Sequence, residues 1–282
     1  MAHIVVPEAE ALLDQEIKVL DKGFVRLVDY LGGDQRIVQA ARVSYGAGTK
    51  SYRQDRALIQ YLMKHEHTSP FEQVQLTFHA KMPIFVARQW VRHRTARINE
   101  ISGRYSVMKD EFYLPEPDMI RYQSDVNKQG RAEEPLPPDE AEAVIAQMQA
   151  DQQRAFNHYQ EMLERGVARE IARTNLPLSL YTEWYWQIDL HNLLHFLALR
   201  LDSHAQYEIR AYAEAMATCA KAVAPLAYEA FEEHVLGGVR LSRSECRALM
   251  AAQRGEESPL AGLDQIEFEE KLRKIRETEN GG

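Results

Sequence analysis

Arginine is permanently charged and forks its N–H donors onto phosphate or carboxylate oxygens. Four arginines, Arg92, Arg94, Arg97 and Arg104, fall within residues 89–106, QWVRHRTARINEISGRYS, with only Glu100 as a carboxylate among them. His93 stands between Arg92 and Arg94, and Ser102-Gly103 closes the stretch. Such a set can grip a small polyanion: the arginines supply charge, the serine a hydroxyl donor, and the glycine a close backbone approach. The same cluster also reads as a solvated face or an ion-pair ladder, the common fate of exposed charge. Trp90, Val91 and Ile98 interleave with it, so part of the stretch must pack, and packed arginines need partners. Local carboxylates or an anionic ligand must supply them.

Three further groups carry chemistry. His65-Glu66-His67 precedes Thr68-Ser69-Pro70. Two histidines two apart suit a metal, although a third ligand is not close in sequence. They equally suit a ligand-facing turn or a plain surface turn. His191 and His195 share a helix face at i,i+4, ahead of Arg200, as metal ligands, cofactor contacts or a polar rim. Arg169 and Arg173, again i,i+4, add positive charge. Cys219 and Cys246 lie too far apart in helical contexts for a disulfide framework, and no histidine neighbours Cys219 to activate it. No GxGxxG, GxxxxGK[ST] or GxSxG occurs. Cationic forks without an obvious nucleophile point to chemistry carried by a bound cofactor.

The elements that must position these groups follow from periodicity. Residues 24–31 predict a strand ended by Gly32-Gly33. Asp34 should cap a helix with Ile37, Val38 and Ala41 inward, running out near Ser44-Tyr45 before Gly46 and Gly48. A helix over 52–64 places Leu58, Tyr61 and Leu62 inward, and Pro70 puts His65 and His67 on a turn. Alternation of Val74, Leu76, Phe78, Ala80 and Met82 predicts a half-buried strand. Pro83 should open a helix, in its first turn, that runs to about Arg94 and delivers the arginines at its C-terminal end and in the loop beyond. Residues 107–138, with Pro115, Pro117, Pro135, Pro137 and Pro138, read as a long loop or flap. A helix over 139–165 ends at Gly166, and a short one over 167–173 carries Arg169 and Arg173. Residues 179–188 predict a strand able to pair with 74–82. Asp189 begins a leucine-faced helix, and an alanine-rich helix follows, interrupted at Pro225.

The chain has 282 residues, 45% of them hydrophobic, ample for a buried core. Its net charge of -8 disfavours general nucleic-acid binding without excluding a local basic pocket. The lack of a membrane-length apolar run, together with the cysteine usage, reads as a soluble cytoplasmic protein.

Arg92-His93-Arg94 followed by seven residues and Ser102 resembles the signature of the flavin-dependent thymidylate synthases, the ThyX family. The flanking blocks HEHTSPFE, PIFVARQWVRHR, NEISGRYS, AREIAR and LHNLLHFLALRLDSHAQYEIR occur in the same order, so the resemblance covers about 24–236. It implies a single-domain α/β fold of α+β type, a mixed sheet with long helices. On that reading 1–23 is an N-terminal extension, 24–238 the catalytic domain with 107–138 inserted, and 239–282 an acidic, helix-prone tail. It also implies a methyltransferase that forms dTMP from dUMP. Methylenetetrahydrofolate would give the carbon, and NADPH the electrons through bound FAD, in a homotetramer whose subunits share sites. Carried over by position, Gln89, Arg92, Glu100, Ser102, Gly103, Arg104, Arg173 and Arg200 should contact dUMP, with Arg200 at the uracil edge as the catalytic group. His67, Ser69, Arg92, His93, Arg94, Glu100, Asp189, His191 and His195 should line the FAD site. Two features depart from the family pattern. Arg97 stands where many members have a small residue, and Asp189 and His195 where some have asparagine. Two other classes stay open: a metal-dependent nucleotide hydrolase using His65, His67, His191 and His195, and a non-catalytic nucleotide or RNA binder.

Overall fold

Leu76, Phe78 and Ala80, the middle of the cleanest alternation in the sequence, are fully buried at the centre of a sheet. A computed structural model describes residues 4–43, 52–125 and 129–280. The helix end expected at Ser44-Tyr45 and the glycines Gly46 and Gly48 lie outside them. In chain order the elements are α1 (Pro7–Glu10), β1 (Glu16–Val19), β2 (Gly23–Leu31), α2 (Asp34–Arg42), α3 (Tyr52–Lys64), β3 (Gln75–Pro83) and α4 (Ile84–Trp90). Then come β4 (Arg97–Glu100), β5 (Arg121–Gln123), β6 (Arg131–Pro135), α5 (Pro138–Glu164), α6 (Arg169–Ala172) and β7 (Tyr181–Asp189). Last are α7 (Leu190–Arg200), α8 (Tyr207–Val223), α9 (Pro225–Phe231), α10 (Arg243–Gln253) and α11 (Leu263–Asn280). The described chain divides into two compact units, Met1–Tyr228 and Glu229–Gly282.

The first unit holds a five-stranded sheet in the order β1-β2-β3-β7-β4. The α/β class is as expected. Where a mixed sheet was expected, all four strand pairings are antiparallel. Alternating burial along β3 suits that arrangement, because an antiparallel sheet can leave one face less covered. Strand β7 pairs with β3 as anticipated, with Phe78 opposite Trp186 and Ala80 opposite Trp184. Helices α7 and α8 contribute the buried Leu193, Phe196, Leu197, Tyr212 and Met216. Trp90 joins them with no exposed surface, its ring centroid 5.2 Å from that of Trp184 and 5.4 Å from those of Trp186 and Phe196. Burying such a side chain contributes on the order of 2–3 kcal/mol.

That burial sets where the arginines begin. Pro83 is the N-cap of α4, not its first helical residue, and the helix stops at Trp90, four residues short of Arg94. The His93 N–H then closes a turn on the Trp90 carbonyl, and the chain leaves at once to form β4 on the edge of β7. The arginines thus lie in the loop beyond the helix, as expected in part, and on an edge strand, and none of the four is on the helix itself.

Three other expectations change. Asp34 is the first residue of α2 and does not cap it. Its carboxylate accepts from the Leu226 and Ala227 N–H groups, satisfying the start of α9, far away in sequence. Tyr61 is exposed and faces the His65 and His67 rings. Residues 107–138 are not one loop: they contain a 3-10 turn, Pro117–Met119, and the β5–β6 hairpin.

The second unit is helical. Ser242 caps α10 in a reciprocal capping box with Glu245, and Lys271 of α11 reaches the same carboxylate at 2.7 Å.

Candidate functional site

Two groups of predicted residues come together in the first unit. The first gathers where α4 ends beside α7. Arg200, the last residue of α7, is half-buried, and its Nε donates to His93 Nε2 at 3.3 Å. Its Nη2 donates to the Gln89 carbonyl at 3.4 Å. The His93 ring also meets His195 at 6.0 Å and the edge of Phe196 at 4.9 Å. Burial first, then Arg200 and His195, push the His93 pKa from 6.5 down to about 4. A neutral imidazole is therefore an acceptor for Arg200, and it holds that guanidinium in place without cancelling its charge. Burial lowers the Arg200 pKa as well.

The second group is the turn after β4. Tyr105 and Ser106 N–H both bond the Ser102 carbonyl, and the Arg104 N–H bonds the Ser102 hydroxyl. Gly103 is buried at the bottom of this turn. A Cβ there would sit 2.9 Å from Met108 Sδ and 3.0 Å from Arg173 Cδ, so the absent side chain is what lets Arg173 come close. Helix α6 locks the turn from the other side, by Arg169 to the Tyr105 carbonyl and Glu170 to Arg104.

The decisive feature is what the arginines lack. Among the described residues, the side chains of Arg92, Arg94, Arg97 and Arg173 have no hydrogen-bond or ion-pair partner. Arg92, Arg94 and Arg97 are exposed, whereas Arg173 is half-buried against Gly103. The ion-pair ladder considered for this stretch does not form. Glu100, its one carboxylate, accepts instead from the Thr182 hydroxyl at 2.6 Å. Four unsatisfied forks in a chain of net charge -8 make a donor set for an external anion.

Other predicted residues are placed differently. Asp189 is the N-cap of α7: one carboxylate oxygen accepts from the Asn192 N–H at 2.9 Å, the other from its amide at 2.8 Å. His191 is half-buried on α7, and His195 is exposed on it. His67 and Ser69 are exposed on the turn after α3, and the residues that follow, Phe71–Gln73, pack against α7. No hydrogen bond joins that turn to His93 or Arg200 among the described residues. The His65 and His67 rings are 6.3 Å apart. Among the described residues no three of His, Cys, Asp and Glu are grouped to hold a metal ion, so the four-histidine set does not converge.

Sequence reading missed Gln206, whose side-chain oxygen accepts from the Gln89 amide. Its only signal was its place in the block DSHAQYEIR. No described helix is long and apolar enough to cross a membrane.

Residues 26–226 match a family model described as thymidylate synthase complementing protein, and 239–278 match one described as thymidylate synthase ThyX C-terminal domain. This chain belongs to the ThyX family. Relatives within it are the flavin-dependent thymidylate synthases of Treponema pallidum, 57% identical over 97% of this chain and 90% of theirs, and of Treponema denticola, 58% identical over 94% and 100%. That of Wolbachia pipientis is 55% identical over 89% and 88%. Among solved structures, the UMP/dUMP methylase PolB from Streptomyces cacaoi bound with 5-Br dUMP superposes with a TM-score of 0.70. It is 34% identical and covers 78% of this chain and 98% of its own. The ThyX match spans both compact units and includes every predicted site residue.

Proposed function

We propose that this protein is a flavin-dependent thymidylate synthase, methylating dUMP to dTMP with methylenetetrahydrofolate as carbon donor and NADPH as reductant. The observation that carries the reading is the half-buried, unpaired Arg173 against Gly103, next to the Ser102 hydroxyl and the Arg104 fork. A nucleotide phosphate dianion supplies the partner that Arg173 lacks, and Arg104, already paired with Glu170, adds positive charge beside it. Arg200, held by neutral His93, would meet the uracil edge and stabilise charge on the deprotonated pyrimidine, activating C5 as the nucleophile. Gln89 would contact the same nucleotide. An enzyme thiol is a poor alternative, because Cys219 is buried in α8 with its pKa pushed up to about 12.

The residues present suit a flavin dinucleotide. Arg92 and Arg94 offer free forks to its pyrophosphate, and α7 offers His191 and His195, in place of a glycine-rich loop. Bound FAD would supply the redox step between NADPH and the transferred carbon. Asp189, spent on its own helix, would act on FAD only by setting the start of α7. The assembly proposed is a homotetramer and the compartment the cytoplasm.

Purified protein should be yellow and bleach with NADPH in the absence of oxygen. Arg173→Ala should weaken dUMP binding about tenfold or more, the worth of one charged hydrogen bond, while FAD stays bound. A colourless protein that takes up no FAD on reconstitution would end the proposal.

A further inference from the structure

The β5–β6 hairpin, which has no role in the reading above, is wired to the candidate nucleotide site. Arg131, at the start of β6, donates from Nη2 to both oxygens of Glu208, at 2.7 and 2.6 Å, and from Nη1 to the Met119 carbonyl at 3.1 Å. Glu208 is 3% exposed, in the first turn of α8. It also accepts from the Tyr113 hydroxyl at 3.0 Å and from the Gln206 amide at 2.8 Å. Gln206 in turn accepts from the Gln89 amide, and the Gln89 backbone carbonyl holds Arg200.

The chain of bonds has a direction. An ionised carboxylate only accepts, so Gln206 must turn its NH2 towards Glu208 and its oxygen towards Gln89. Gln89 must then spend its NH2 on Gln206, which leaves its side-chain oxygen as the acceptor for a ligand. An amide normally chooses between two orientations of similar energy. Here the Glu208 charge removes the choice, and Arg131 is what keeps that charge in a buried place. Burial, and then Glu208 itself, push the Tyr113 pKa up, so its hydroxyl stays a donor. Without Arg131, Glu208 loses the bidentate partner that fixes it, and with it the anchor that orients both amides.

We propose that Arg131 and Glu208 are positioning residues for the nucleotide site: through Gln206 they orient the Gln89 amide so that it presents an acceptor to dUMP. The proposal rests on the reading of Gln89 as a nucleotide contact.

A double-mutant cycle on the FAD-loaded full chain tests it, with dUMP affinity measured by calorimetry. Arg131→Ala should weaken dUMP binding about tenfold in the native background and by less than about twofold in the Gln89→Ala background, since residues of one network couple. Arg131→Lys keeps the charge and should restore most of the affinity. Arg121→Ala, on the same hairpin with its side chain bonded among the described residues to the Asp118 carbonyl alone, should bind dUMP like the parent chain. If Arg131→Ala does not fold, Glu208→Gln, which both donates and accepts, replaces it in the cycle. A loss beyond about twofold in the Gln89→Ala background, or none in the native one, overturns the proposal. A normal affinity in Gln89→Ala alone removes the nucleotide role of Gln89, and this proposal with it. A weakened Gln89→Ala beside a normal Arg131→Ala removes the positioning role alone.

Discussion

Protonating His93 would place a second positive charge 3.3 Å from the Arg200 guanidinium, and burial makes that charge costlier still. Its folded-state pKa, about 4, lies below the ordinary 6.5. Between those values the unfolded chain binds the proton and the folded chain does not. The contribution to stability is therefore fully present above about pH 6.5 and is lost as the pH falls towards about 4. Urea unfolding at pH 7 and pH 5 should show His93→Gln with a shallower loss than the parent chain; equal losses would mean that His93 is not the titrating group. Gly103 makes a second point at this scale. In Gly103→Ala the new Cβ would press on Met108 and Arg173, both flexible ends, so the fold should survive. Because Arg173 must move, dUMP affinity should drop about tenfold, with a stability change within roughly 1 kcal/mol.

At the scale of elements, the capping carboxylates settle which acids face a ligand. Asp189 departs from the asparagine that some family members carry, yet both residues cap a helix about equally well. Asp189→Asn should leave stability within about 0.5 kcal/mol of the parent and FAD binding unchanged, whereas Asp189→Ala should cost about 1 kcal/mol in urea unfolding. Tighter FAD binding in Asp189→Asn would show instead that the carboxylate repels the cofactor. Helix α4 carries a related lesson. It ends early because Trp90 is seated among Trp184, Trp186 and Phe196, and that seat is what turns Arg92 and Arg94 away from the core.

For the whole molecule, one chain leaves Arg92, Arg94 and Arg97 exposed, while Arg173 and Arg200 sit in two separate clusters. The proposed homotetramer, with subunits sharing sites, would bring them together. Sedimentation should give four times the 32.5 kDa of one chain, and dilution to single chains should lower activity per chain. A fully active single chain would refute the shared site.

Periodicity and turn residues alone placed the pairing of 74–82 with 179–188 and helix α3, because side-chain alternation and helical spacing are local properties. The types and order of Arg92, His93, Arg94, Ser102 and Gly103 were likewise enough to mark a candidate anion site and the family, since fork chemistry belongs to the residue itself. The partners were not legible. That Asp34 serves α9, that Glu100 goes to Thr182, and that Arg173 comes to rest on Gly103 depend on which surfaces the folded chain brings together. The same holds for β4 and the β5–β6 hairpin, whose short, mostly polar strands carry too few apolar residues to show an alternation and exist through their pairing. Sequence determined which charges were available; packing decided which of them were left without a partner, because a charge is neutralised by proximity and not by composition.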